Sequence, residues 1–192
     1  MPRWEPDARE RFVAAALHLF TEQGYDETTV AQIADRAGLT KSTFFRHFPD
    51  KRDVLAAGQE TLSLLLAEGI ASAPADATPL QAVAAGLANA SGAMTPFNRE
   101  LGPRLEAVIA TSAELQERAL LKKVGMASAM ADALRARGVP DPVAGTAAEL
   151  GVVAFKEAFA EWSESEGGEG RELQALATEA LDRLRSALSQ LG

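Results

Sequence analysis

With 192 residues, a formal net charge of −8 and no cysteine, the chain is long enough for one large or two small domains, and it excludes disulfides, thiolate metal sites and a cysteine nucleophile. Ala, Leu, Glu and Arg dominate and strand-type alternation is scarce, which predicts an all-α fold of about nine helices. The opening MPRWEPDARER has no signal-peptide run, and no later run approaches the roughly 20 apolar residues that span a bilayer; a cytoplasmic protein with no membrane partner is expected.

In chain order, residues 6–23 predict a first helix with Phe12, Ala15, Ala16, Leu19 and Phe20 on one face, ended by Gly24. His18 lies at the edge of that face and reads as a surface histidine, because nothing nearby supplies a second metal ligand. Val30, Ile33, Ala34 and Ala37 then recur at the spacing of one helical face, and Thr29 with Gln32 three residues on is a capping-box pair. Gly38 falls where a helix C-terminus requires a left-handed residue. Thr40 follows as an N-cap, and residues 41–48 give about two further turns before Pro49 stops them. Two short helices joined at a glycine, spanning residues 32–51, make a helix-turn-helix.

The chemistry of the second of these helices suits nucleic acid. Its first turn offers Thr40, Lys41, Ser42 and Thr43, short donors and acceptors beside a cation, at a helix end whose N–H groups attract phosphate. From residue 36 to 52 the cations Arg36, Lys41, Arg46, Lys51 and Arg52 stand against the single anion Asp50, while most of the negative charge follows residue 59. At a Debye length of about 8 Å the acidic remainder is largely screened from that patch.

These residues resemble the DNA-binding domain of TetR-family (tetracycline-repressor-like, AcrR-type) regulators, with Phe20, Gly24, Thr28-Thr29-Val30, Ile33-Ala34, Ala37-Gly38-Leu39, Lys41, Thr43, Phe48, Lys51 and Leu55 at the family's spacing. The resemblance covers about the first sixty residues. It implies a reading helix over residues 40–47 in the major groove of operator DNA, with Thr29, Phe45, His47 and Lys51 near phosphates and Lys41, Ser42 and Thr43 near bases; Thr40 and Arg46 complete the expected DNA-binding set. Two positions depart from the family's pattern. Phe45 replaces a Tyr whose hydroxyl meets phosphate, and Ala31 replaces a long polar residue.

After Pro49, Asp50 is the expected N-cap of a long connecting helix to residue 71, carrying Val54, Leu55, Leu62, Leu65, Leu66 and Ile70, with Lys51 in its first turn. A proline-bearing loop at 72–79 precedes helices at 80–90 and 97–112, the latter expected to kink or restart at Gly102-Pro103. Helices at 114–137, 142–164 and 172–191 follow, the last two divided by the glycine cluster at 166–170, which lacks the lysine and spacing of a phosphate loop. The expected organisation is a DNA-binding domain at 1–50 and a helical bundle at 51–192 for ligand binding and dimerisation.

No catalytic constellation is visible, so the chain is expected not to be an enzyme and to need no cofactor and no metal: HExxH and GxSxG are absent, and Glu157, Glu161 and Glu164 read as a solvated acidic face. Met126 and Met130, like Phe155 and Phe159, are four apart and fit plain core or an apolar pocket wall. A pocket for a small apolar or amphipathic effector is expected among Leu62, Leu66, Phe97, Leu101, Leu105, Val108, Met126, Met130, Phe155 and Phe159, with Arg104 at its mouth for a carboxylate or phosphate. The resemblance implies a homodimer. Apolar stripes on the last two helices, Ala147, Leu150, Gly151, Ala154, Ala158 and Trp162 on one and Leu173, Leu176, Ala180, Leu184 and Leu188 on the other, are the expected interface. The expected function is thus a ligand-responsive transcriptional regulator, most often a repressor in this family. The alternative is a DNA-binding interaction protein whose second domain binds a protein partner and senses no small molecule.

Overall fold

The computed structural model describes residues 8–164 and 172–190. The expected helix start at residue 6, the glycine turn at 166–170 and the helix end at 191 lie outside the described residues. Among the described residues the chain is all-α: α1 Ala8–Gln23, α2 Val30–Arg36, α3 Lys41–His47, a 3-10 helix Lys51–Ala56, α4 Gln59–Ala71, α5 Pro79–Gly92, α6 Pro96–Ala110, α7 Ala113–Ala136, α8 Asp141–Glu164 and α9 Leu173–Ser189. These elements form two compact units, residues 1–57 with 103–121 and residues 58–102 with 122–192.

In the first unit, α1 buries Phe12, Ala16, Leu17 and Phe20, and an aromatic cluster forms its centre. Phe12 meets the edge of Phe44 at a centroid distance of 5.2 Å, and Phe44 meets Phe48 at 5.4 Å. Because Phe44 and Phe48 are four apart, one face of α3 is committed to this cluster and the opposite face is left outside.

In the second unit, α4 and α5 cross at almost backbone contact. A Cβ on Gly69 would stand 2.6 Å from the Ala85 carbonyl oxygen, and one on Gly86 would stand 2.7 Å from that of Leu66. Around the crossing, Leu66, Ile70, Val83, Leu87, Met130 and Leu134 are buried together with Ala148, Ala154 and Phe155 of α8 and Ala177 and Ala180 of α9. Arg137, just past α7, donates to the carbonyls of Ile70 (3.2 Å) and Ala73 (2.8 Å) and so closes the C-terminus of α4.

Two expectations about helix continuity need correction. The long helix over residues 50–71 is two pieces, because Gly58 adopts φ 79°, a left-handed conformation in which it cannot continue the preceding turn, and Asp50 makes no side-chain cap. Residues 51–71 are long and apolar enough to count as a membrane-span candidate, but they are broken at Gly58 and spend Val54, Leu55, Leu62, Leu66 and Ile70 on packing inside the two units. Conversely, α6 runs through Pro103 as one helix instead of restarting there.

Candidate nucleic-acid interface

The entry to α2 is built as its sequence dictates. The Thr29 hydroxyl accepts from the Gln32 amide (3.3 Å) while the Gln32 side chain accepts from the Thr29 amide (2.8 Å), so two otherwise orphaned N–H groups satisfy each other's residues. At the other end Gly38, at φ 65°, donates to the Asp35 carbonyl and Leu39 donates to that of Ala34, each at 2.9 Å, a Schellman closure. Arg11 of α1 reaches across to the Ala37 carbonyl. The Thr40 hydroxyl then accepts from the Thr43 amide at 3.1 Å and starts α3.

On α3, Phe44 is fully buried and Lys41, Ser42, Phe45, Arg46 and His47 are exposed, with Thr43 half-buried. At about 100° per residue, Ser42 and Arg46 lie opposite the Phe44–Phe48 side, flanked by Thr43 and Phe45. Arg46 donates to the Thr43 hydroxyl at 3.2 Å, which in turn contacts Thr40 at 2.9 Å. Thr40 and Thr43 therefore hold Arg46 as much as they offer themselves to bases. Phe45, 53% exposed, presents a ring with no polar atom.

The cationic stretch of the sequence is sorted by these contacts. Arg36 is tied to Glu22 at 2.9 Å and donates to Nε2 of His18, whose Nδ1 faces Glu22 at 3.1 Å, which fixes the surface role expected of that histidine. Arg52 faces Glu114 at 3.4 Å. The ammonium of Lys51, expected near phosphate, donates to the carbonyls of Tyr25 (2.8 Å), Thr28 (3.0 Å) and Asp26 (3.4 Å) and sits 4.2 Å from the Tyr25 ring centre. An ammonium has three donors, and all three are used inside the unit. Lys41 and Arg46 are left as the outward cations of the reading helix, with Thr29 exposed at the start of α2.

A residue that sequence reasoning passed over closes this arrangement. Tyr25 is 4% exposed, and the Glu114 carboxylate in the first turn of α7 lies near enough to its hydroxyl to act on it. Burial first, and then the Glu114 charge, push the phenol well above the ordinary tyrosine range. Gly24 marked the end of α1, but a partner as far along the chain as Glu114 has no local signal. Because the neutral phenol is the form favoured by folding, its contribution is present below about pH 10 and is lost as pH rises past the unfolded and then the folded value. This is the chain's only tyrosine, so ultraviolet titration is clean. Tyrosinate absorbance is expected to lag behind that of the urea-unfolded chain and to rise with loss of helical signal; titration near pH 10 with the fold intact would contradict the buried contact.

The family model for bacterial regulatory proteins of the tetR family matches residues 12–57, the segment just described. The regulator TcmR of Streptomyces glaucescens is 37% identical over 75 residues, 39% of this chain and 33% of its own length. Residues 12–57 thus resemble the tetR-family regulatory proteins. The chain spans only about a third of the length of that curated relative. Among solved structures, the likeness in fold extends over nearly the whole chain. SmeT of Stenotrophomonas maltophilia in complex with triclosan superposes with a TM-score of 0.55 at 23% identity, over 95% of this chain and 91% of that one. AmtR of Mycobacterium smegmatis gives 0.52 at 20%, over 95% and 88%. At these identities the likeness is one of fold. The curated relatives are HTH-type transcriptional regulators.

The remaining expected residues divide between the units. Leu62, Leu66, Phe97, Leu101, Met126, Met130, Phe155 and Phe159 belong to the second, and Arg104, Leu105 and Val108 to the first. Within the second unit Leu62, Leu66, Met126, Met130 and Phe155 are members of the buried core, Leu66 and Met130 fully so, with Phe159 packed against it. The expected dimer face also needs correction. Gly151, Ala154, Ala158, Leu176 and Ala180 are buried inside the protomer, as are Ala147 and Leu173, and Gly151 lies directly under Val83 and Met130. The small residues permit close approach, but to α5 and α7 of the same chain. Leu150, Trp162 and Leu184 remain partly exposed, and Leu188 is exposed. An open cavity of about 830 Å³ lies along Leu80, Val143, Leu150, Leu181 and Leu188.

Proposed function

We propose that this chain is a sequence-specific DNA-binding transcriptional regulator of the repressor type, acting in the cytoplasm as a homodimer and released from its operator by a small apolar or amphipathic effector. The reading rests on one observation: the outward side of α3 carries Ser42 and Arg46, with Lys41 exposed in its first turn, on a helix whose other side is anchored by Phe44 and Phe48. Short polar groups and an arginine in that register suit base edges in the major groove, with Thr29, Phe45 and His47 at the flanking backbone. One seven-residue helix covers few base pairs, so a two-fold dimer reading half-sites about 34–36 Å apart is the natural assembly. Support for a dimer face comes from the exposed apolar positions Val143 and Val153 of α8 and Leu188 of α9, beside Leu150 and Leu184.

Selection of duplexes from a random library by the purified chain tests this. A palindromic site with half-sites one helical turn apart is expected, bound by a dimer in light scattering at micromolar concentration; a monomer that binds equally well contradicts the assembly. For the effector, support comes from the complex of SmeT with triclosan and from the apolar side chains of the second unit. Calorimetry with a panel of apolar phenols and carboxylates, triclosan included, with and without the selected duplex, should show affinities differing by roughly 5- to 150-fold for the effector class. The full burial of Leu66 and Met130 favours the second reading, in which the second unit takes a protein partner, and equal affinities across the panel would support it.

A further inference from the structure

We propose that the corner between α6 and α7, through Glu114 and Arg118, is a positioning part of the DNA-reading unit, holding the loop ahead of α2 and the 3-10 helix behind α3. The inference rests on the DNA-binding reading above and adds to it residues far from the reading helix in sequence.

Two struts carry it, both inside the first unit. Glu114 faces Arg52 at 3.4 Å, and its carboxylate lies near the buried Tyr25 hydroxyl. The Tyr25 ring supports the Lys51 ammonium, which in turn gathers the carbonyls of Tyr25, Asp26 and Thr28. The Thr28 hydroxyl closes the same loop on the Gly24 carbonyl at 2.7 Å, and the next residue, Thr29, is the N-cap of α2. The first turn of α7 is thereby joined to the start of α2 by side chains in continuous contact. The second strut lies one turn further on. Arg118 pairs with Asp53, which is 15% exposed, in the 3-10 helix. Glu114 and Arg118 are four apart and share one side of α7, beside the fully buried Leu115. Since α2 precedes α3 and the 3-10 helix follows it, the two struts fix the chain on both sides of the reader.

The exposed Arg52–Glu114 pair contributes little by itself, as surface pairs do. The buried Tyr25 hydroxyl and the shielded Asp53 matter more, because removing Glu114 or Arg118 leaves a desolvated polar group without its neighbour.

The test uses the full chain and the duplex selected by the wild type. Glu114→Gln, Tyr25→Phe and Arg118→Ala are each expected to weaken binding by about tenfold, with the slope of affinity against salt unchanged because no phosphate contact is removed. The Glu114→Gln/Tyr25→Phe double variant should be no weaker than the worse single one, since both disturb the same contact. The charge exchange Asp53→Arg/Arg118→Asp should recover most of the loss caused by Arg118→Ala. Without DNA, amide exchange at Thr28 and Ile33 should quicken in Glu114→Gln and Tyr25→Phe while protection in α4 and α5 stays as in the wild type. Wild-type affinity in the three single variants overturns the proposal, as do additive losses in the double variant or unchanged exchange at Thr28 and Ile33. A salt slope lowered by about one unit would make Glu114 or Arg118 a participant in phosphate binding and overturn it too. Failure of the wild type to select any duplex would instead bring down the DNA-binding reading, and with it this one.

Discussion

Gly86→Ala is expected to destabilise the second unit by about 3 kcal/mol, the upper end of what overpacking costs. The added methyl would stand 2.7 Å from the Leu66 carbonyl oxygen and 2.9 Å from the Ile70 side chain. A side chain can turn away, but a backbone carbonyl inside a helix moves only with its helix, so α4 and α5 must separate and take Leu66, Ile70, Val83 and Leu87 out of contact. Gly69→Ala, 2.6 Å from the Ala85 carbonyl at the same crossing, should cost a similar amount, and the pair should be less than additive because the first substitution already opens the gap. Gly145→Ala is the control of opposite sign. Nothing lies within 4 Å of its Cβ position in α8, so the gain in helix propensity should stabilise by about 0.5–1 kcal/mol. Urea unfolding followed by circular dichroism reads all three. A midpoint for Gly86→Ala equal to the wild type would mean that the two helices do not approach as closely as described.

Arg46→Ala and Lys41→Ala should be the most damaging changes to operator binding that leave the fold intact. Both side chains are exposed on α3, and neither is held by a carboxylate in the described contacts. Loss of an arginine or lysine contact to a base is worth about 1–3 kcal/mol, or roughly ten- to a hundredfold in affinity, and relaxes the preference at the position read. Arg46→Ala also frees the Thr43 hydroxyl, so its selected site should broaden more than that of Lys41→Ala. Arg36→Ala is the informative contrast. It removes the same charge from the same stretch of sequence, but Arg36 is spent on Glu22 and His18, so binding should change by less than about 0.5 kcal/mol. Fluorescence anisotropy with the selected duplex and with single-base variants measures affinity and preference together. Equal losses for Arg36→Ala and Arg46→Ala would mean that bulk positive charge, and not the face of α3, governs the contact.

Lys51 shows how far residue type carries an argument. As a cation in a basic stretch it is an obvious phosphate ligand, and only the fold reveals that its three donors are occupied by the carbonyls before α2. The chain's own loop reached it before any ligand could. The apolar stripe of α8 makes the same point. Its spacing identified a buried side correctly as buried, yet Gly151 faces Val83 and Met130 of its own chain and not a second copy. One signal was available and went unused: Thr78 with Gln81 and an intervening Pro79 repeats the capping box of α2 and starts α5 at Pro79.

The sequence alone determined the helical class, the capping box at Thr29, the left-handed turn at Gly38 and the cap at Thr40. Each of these is settled within about one helical turn, where caps, glycine and periodicity act through neighbours fixed by covalent connection. The tertiary structure decided which cations of the basic stretch are paired, that Glu114 comes near the buried Tyr25, that residues 51–71 divide at Gly58, and which element covers the small residues of α8. Those outcomes depend on which surfaces come together across long stretches of chain, and helical periodicity states only that a side is buried, never against what.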